Sequence, residues 1–195
     1  MVSSIFNSEM RFGIGRSAVS VPLLLAIIII IIYIPLIFNF LGSAVLGTNE
    51  TRQLYSNSND RYEIIYPYNW DLVEDSNNML TIISPAENNS DPFQENVAIE
   101  VSNEGNLELN QLVGLQLIEY RQDLIDFRLI SSNRYIVSDN PWYVMVYAYT
   151  EREMPLVVMQ LWTSLAGKLY SIIYTAEAAN YFEYLPAVQF RYRFV

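Results

Sequence analysis

The chain has 195 residues, contains neither cysteine nor histidine, and carries a formal net charge of −10. These absences exclude disulfides, zinc–thiolate and iron–sulfur sites, cysteine nucleophiles and any Ser-His-Asp triad. Catalysis would have to rely on carboxylates, tyrosines or the one lysine, Lys168, so a non-enzymatic protein is expected. From Tyr55 to Val195 there are 19 acidic and 8 basic residues, a net charge of −11, which disfavours nucleic acid as a partner.

An uncharged apolar segment at 18–41 predicts a transmembrane helix in contact with membrane lipid. Its 24 residues include a run of six isoleucines, and about 20 apolar residues suffice to cross a bilayer. Because Arg11 and Arg16 precede the segment, the positive-inside rule predicts that residues 1–17 are cytoplasmic and that the rest of the chain lies outside the cell membrane. The length favours an uncleaved, single-pass anchor, and the small residues 42–44 leave cleavage open as an alternative.

Residues 42–59 are rich in polar, turn-forming types and predict a linker between the membrane and an outer domain at 60–195. Two sequons, at Asn49 and Asn88, are candidate glycosylation sites and agree with an outside location.

Four short strands are predicted at the start of the outer domain, at Arg61–Tyr66, Trp70–Val73, Met79–Ile83 and Asn96–Val101. The last one alternates well, with Val97, Ile99 and Val101 on one face. Loops between these strands carry acidic residues.

An amphipathic helix follows, with Asn110 as its predicted N-cap. Beyond it, Val113, Leu117, Tyr120 and Leu124 recur at helical spacing, so one face of the helix is expected to pack on a sheet.

Longer apolar strands are predicted next, at Phe127–Val137, Pro141–Thr150, Leu156–Leu165 and Leu169–Thr175. A turn at Gly167-Lys168 joins the last two, and such hairpins make the sheet mainly antiparallel. Both faces of Pro141–Thr150 are apolar or aromatic, which predicts that it is covered on both sides. A helix at Ala176–Gln189, interrupted by Pro186, and a closing segment at Phe190–Val195 complete an α+β sandwich whose central sheet is flanked by helices.

The opening stretch Tyr62–Trp70 contains an aromatic-Pro-x-x-Trp pattern that resembles the start of PsbP-like domains, whose fold is also called Mog1/PsbP-like. The similarity continues through further blocks in the same order, including Ile83-Ser84-Pro85, Asp91–Val97, Phe127–Ile130, Gln160–Thr163, Gly167–Tyr170 and Tyr181–Pro186. The resemblance implies an antiparallel sheet between helices. It also implies a binding or accessory role, as in the extrinsic subunits of photosystem II. The arrangement of a PsbP-like domain behind an N-terminal membrane helix resembles that of proteins of ammonia-oxidising archaea.

Three groups of side chains are candidates for specific roles. Tyr143, Tyr147 and Tyr149 share a strand face and could form a partner-binding surface, or else pack beneath the helix. Two acidic groups, Glu87, Asp91 and Glu95 in one loop and Asp71, Glu74 and Asp75 in another, could hold calcium, but solvated turns are the favoured explanation for both. Lys168 is expected to be exposed in its turn. No catalytic, cofactor or metal site is therefore assigned.

Two functions remain. The first is a membrane-anchored accessory or assembly subunit whose outer domain docks on a membrane complex, such as a redox or oxidase complex. The alternative is a stand-alone extracytoplasmic module that binds a ligand or cation.

Overall fold

The computed structural model describes residues 51–75, 79–103, 108–137, 139–188 and 191–194. The predicted membrane segment at 18–41 and the sequon at Asn49 lie outside these ranges. No helix among the described residues is long and apolar enough to cross a membrane.

The described domain contains ten strands and two helices, in the chain order β1 Arg52–Asn57, β2 Tyr62–Pro67, β3 Asp71–Glu74, β4 Leu80–Ile83, β5 Asn96–Asn103, α1 Leu109–Asp123, β6 Ile125–Val137, β7 Asn140–Glu151, β8 Met154–Leu165, β9 Lys168–Glu177, α2 Tyr181–Tyr184 and β10 Arg191–Phe194. The eight strands predicted from the sequence correspond to β2 through β9, with ends that differ by a few residues.

Seven of these strands form one sheet in the order β3-β4-β5-β9-β8-β7-β6. Every neighbouring pair is antiparallel, which confirms the predicted sheet type. Two-residue loops join β7 to β8 and β8 to β9, and their central residues have positive φ, as at Ala166 (51°) and Gly167 (78°). Such loops match the right-handed twist of the paired strands.

The other three strands form a small sheet in the order β1-β2-β10. The prediction that 42–59 is an irregular linker was therefore wrong for Arg52–Asn57, which pairs antiparallel with β2 over its whole length. The sequence concealed this strand because its exposed positions, Arg52, Leu54 and Ser56, alternate with partly buried ones among polar residues. Pairing with β2 compensates for the weak apolar pattern.

The two faces of the seven-stranded sheet are covered differently. Trp142, Val144 and Val146 of β7 pack in one core, together with residues of β2 and with Phe194 of β10. Met145 and Tyr147, which point the opposite way, pack in a second core beneath α1. The prediction that this strand is covered on both sides is confirmed, and the molecule has three layers: the small sheet with α2, the large sheet, and α1.

The predicted helix at Ala176–Gln189 is largely replaced by other structure. Strand β9 continues to Glu177 because Ala176 pairs with Val157 and is fully buried. Of the described residues 176–188, only Tyr181–Tyr184 form a helix. Helical propensity at 176–179 is a weak preference that pairing with a neighbouring strand overrides. The hydroxyl of Tyr174 donates to the carbonyl of Tyr181 (2.8 Å) and holds α2 against β9.

Candidate interaction surface

Helix α1 begins two residues earlier than Asn110 would allow as a cap. Its N-cap is Glu108, whose backbone N–H donates to Oε1 of Gln111 (3.1 Å). A backbone N–H at the start of a helix has no acceptor within the helix, so the side-chain oxygen of Gln111 supplies one. The prediction of Asn110 as N-cap was wrong because the reciprocal contact between Glu108 and Gln111 fixes the start of the helix.

The inner face of α1 packs on the large sheet as its spacing predicted. Leu109 and Val113 are buried against β7 and β8, and the partly buried residues that join them are Leu117, Tyr120 and Leu124. This contact orients the helix, because residues three or four positions apart share one face.

The outward face of α1 exposes two large apolar side chains, and its one charged neighbour on that side is Glu119 at its edge. Leu115 and Ile118 are each 56% exposed, and Ile125, just beyond the helix, is 66% exposed. At Gly114, apart from the neighbouring residues and the backbone of the helix itself, no atom lies within 4 Å of the position that a Cβ would occupy. We define the outward face as Gln111, Gly114, Leu115, Ile118 and Gln122, which follow one another at helical spacing.

A buried polar network locks α1 onto the sheet. Oε1 of Gln160, a residue of β8 that is only 3% exposed, accepts hydrogen bonds from the hydroxyls of Tyr120 (2.8 Å) and Tyr147 (3.5 Å). Nε2 of Gln160 donates to Oγ of Ser171 (3.0 Å). Burial raises the pKa of both tyrosines, so their hydroxyls remain protonated and can donate.

Sequence reasoning assigned no role to Gln160. The available signal was one amide within the otherwise apolar run Leu156–Trp162 of β8. Because a buried polar group without partners is costly, such an amide indicates partners from other elements.

The three tyrosines predicted to form a partner surface have different environments. Tyr147 is only 4% exposed and stacks with Tyr120 and Phe127, at ring-centroid distances of 4.9 and 5.6 Å. It therefore packs beneath the helix, as the alternative interpretation had it. Tyr143 and Tyr149 are partly exposed beside α1, so they remain candidates for the margin of a surface that includes the outward face.

The acidic loop between β4 and β5 does not bring its three carboxylates together as ligands. Asp91 accepts backbone N–H groups of its own loop, from Glu87 (2.9 Å) and Phe93 (3.0 Å). Glu95 is fully buried and accepts from Oγ of Ser84 (3.4 Å). Nδ2 of Asn180 donates to both Glu87 (2.7 Å) and Glu95 (3.3 Å), so this loop is bonded to the chain just before α2.

The second acidic group contributes to a cleft at the turn between β1 and β2. This cleft, of about 270 Å³, is lined by residues that include Tyr55, Tyr62, Asp60, Glu74 and Asp75. Asp71 is not part of it. No group of three or more acidic side chains with the geometry to hold a metal ion occurs within the described ranges.

Lys168 is not the free amine that the sequence suggested. It begins β9, and its Nζ forms an ion pair with Asp60 (2.8 Å) and donates to the carbonyl of Asn59 (2.8 Å). The predicted exposure was wrong because the β1–β2 turn, which is remote in sequence, folds over the β8–β9 hairpin.

Of the two sequons, only Asn88 lies in the described residues. Its side chain is exposed, and its Oδ1 accepts the backbone N–H of Ser90 (2.8 Å). The side chain is thus accessible, and glycosylation at this position stays a prediction.

Comparison with solved structures places the domain among PsbP-like folds, which confirms the fold class that the resemblance implied. The cyanobacterial PsbP (CyanoP) of Synechocystis sp. PCC 6803 has a TM-score of 0.56 at 17% identity, covering 79% of this chain and 98% of that one. A protein of unknown function from Pseudomonas aeruginosa has a TM-score of 0.51 at 15% identity, covering 70% and 90%. At these identities the likeness concerns the fold alone. No known protein family matches the sequence, and no curated protein does.

Proposed function

We propose that this chain is a non-enzymatic accessory or assembly subunit, anchored by residues 18–41, whose outer domain docks on a membrane complex such as a redox or oxidase complex. The observation that carries this proposal is the outward face of α1. Leu115 and Ile118 are both more than half exposed there, and α1 has only three charged residues in fifteen.

An outward helix face of this kind is unusual in an otherwise acidic domain. A surface helix normally places charged and polar residues opposite its buried stripe. Grouped apolar residues on a surface are typical of protein contacts, whose centres are depleted of charge. An anchor would add to the effect of this face, since tethering raises its effective concentration near a membrane partner.

Mild-detergent extraction of the full chain followed by native gel electrophoresis tests the proposal. We expect the chain to migrate in a larger complex and the variant Leu115→Asp/Ile118→Asp to migrate as a free protein. Leu54→Asp is the matched control, because Leu54 is also an exposed leucine, at 60%, but belongs to the small sheet. A wild-type chain that always migrates as a free monomer would end the proposal.

The alternative function, binding of a ligand or cation, is favoured by the cleft beside the β1–β2 turn. Asp60, Glu74 and Asp75 line it together with two tyrosines. Because these side chains do not form a metal-binding group of their own, a hard cation there would need further oxygen ligands from water. Calcium titration of the outer domain by calorimetry and thermal shift tests this alternative. The absence of heat and of any melting shift at millimolar calcium would exclude calcium as its ligand.

A further inference from the structure

We infer that the partner contacts the outward face through an amphipathic helix that lies outside the bilayer, carries basic residues beside its apolar ridge, and crosses α1 at Gly114. This inference rests on the proposed function, because it takes residues 18–41 as the anchor. Three independent observations define the occupant: the glycine, the charges around the face, and the position of α1 relative to the first described residue.

Neither packing nor backbone conformation within the domain requires a glycine at position 114. A glycine inside a helix costs about 0.8–1 kcal/mol relative to alanine, and the space around Gly114 would accept a methyl group freely. The backbone there is helical, so no special φ angle calls for glycine. A glycine between Gln111, Leu115 and Ile118 leaves a notch in which the backbone of a second helix can approach closely.

The exposed charges along α1, which we call its acidic border, are mainly negative. Glu108, Glu119 and Asp123 are exposed along α1, against the single basic residue Arg121. Glu119 lies one turn from Leu115, on the side of the outward face away from Gly114, whereas Arg121 lies two turns along from Gly114. A partner helix with lysine or arginine beside its apolar ridge complements this border. A second copy of the chain does not, because its own α1 carries the same acidic border on a domain of the same net charge.

The position of α1 disfavours lipid as the occupant. Strand β1, which directly follows the connection from the anchor, belongs to the small sheet, and α1 packs on the opposite face of the large sheet. Two layer spacings of roughly 10 Å, plus the radius of a helix, separate β1 from the outward face by about 25 Å.

The connection between the anchor and the domain has nine residues, 42–50. Nine residues can span at most about 30 Å. Laying the outward face on the bilayer would therefore require a nearly fully stretched connection. Anionic lipid would also repel the acidic border. Docking on a partner outside the bilayer requires neither a stretched connection nor contact with anionic lipid.

Site-specific cross-linking of the full chain in its native membranes tests the occupant. Because the chain has no cysteine, Ile118→Cys introduces a single attachment point for a thiol-linked photo-cross-linker, and Leu54→Cys on the small sheet is the control. We expect Ile118→Cys to give an adduct with an extramembrane peptide of the partner that has helical apolar spacing and flanking Lys or Arg, and Leu54→Cys to give none.

A second variant separates docking from stability. Gly114→Ala should raise the melting temperature of the isolated outer domain, because alanine favours the helix, and yet lower the cross-link yield at Ile118→Cys by about tenfold, or ~1.4 kcal/mol. Gln116→Ala, on the same helix but on the side away from Gly114, should leave the yield unchanged. An unchanged yield with Gly114→Ala would overturn the crossing at Gly114.

The remaining outcomes are also decisive. An adduct with a second copy, with lipid, with a membrane-spanning peptide or with an acidic helix would overturn the inference. So would a chain that migrates in a large complex on native gels without any adduct at Ile118→Cys, and in that case the accessory function would stand. A wild-type chain that migrates alone on native gels would overturn both this inference and the accessory function.

Discussion

Glu95 shows how one residue can link the loop between β4 and β5 to α2. Its carboxylate has no exposed surface, and it shares the amide of Asn180 with the exposed Glu87. Burial is the main cause that raises the pKa of Glu95 above its ordinary value of 4.5, and the nearby charge of Glu87 adds to the effect. The folded protein therefore binds this proton more tightly than the unfolded chain does.

The raised pKa predicts a pH dependence of stability. The contribution of Glu95 is fully present below the ordinary pKa and is lost as the pH rises through the raised value, because the unfolded chain gives up the proton first. As the pH rises above 4.5, Glu95→Gln should therefore flatten the decline of the unfolding free energy, as measured by urea denaturation at a series of pH values. Glu100→Gln, which removes an exposed carboxylate on β5 outside this network, is the control. Equal slopes for wild type and Glu95→Gln would contradict the prediction.

Helix α1 holds its position through both apolar packing and the network around Gln160. The apolar contacts of Leu109 and Val113 are non-directional, whereas the hydrogen bonds from Tyr120 and Tyr147 converge on one amide oxygen. Directional bonds of this kind fix the register of the helix on the sheet, and hence the direction in which Leu115 and Ile118 point.

Removing the amide should destabilise the domain more than removing one hydroxyl. Gln160→Leu leaves the hydroxyls of Tyr120, Tyr147 and Ser171 without this partner and should lower the unfolding free energy by about 2–4 kcal/mol. Tyr120→Phe, which removes only one of the bonds, should cost about 1 kcal/mol. Chemical denaturation measures both, and Gln122→Leu on the exposed side of α1 is the control. A Gln160→Leu variant as stable as wild type would show that apolar packing alone positions the helix.

At the scale of the whole molecule, the three layers place the start of β1 and the outward face of α1 on opposite sides of the large sheet. An anchored chain would therefore present α1 away from its attachment point. This arrangement suits a subunit that reaches a neighbour outside the bilayer.

The proposed topology has a direct test in intact cells that produce the full chain with different tags at its two ends. Protease added outside should remove the C-terminal tag and spare the N-terminal one, because the positive-inside rule places residues 1–17 in the cytoplasm. Permeabilised cells serve as the control and should lose both tags. Protection of the C-terminal tag in intact cells, or release of the domain into the medium, would contradict the anchored arrangement.

The sequence predicted the large sheet well because local signals there agree with tertiary packing. The alternation along Pro141–Thr150 and the 3.6-residue spacing of Val113, Leu117, Tyr120 and Leu124 are both set by which face is buried. These signals were sufficient to predict the antiparallel type of the sheet and the helix on one of its faces, whereas they left two positions open for Tyr147.

Tertiary structure alone decided the features that depend on residues remote in sequence. Strand β1 exists because β2 pairs with it, β9 extends to Glu177 because β8 pairs with it, and Lys168 is engaged because Asp60 folds over it. The partners of Gln160 come from α1, β7 and β9, which no local pattern connects. Periodicity reports which face of an element is buried, whereas the identity of the group that covers that face is a property of the assembled fold.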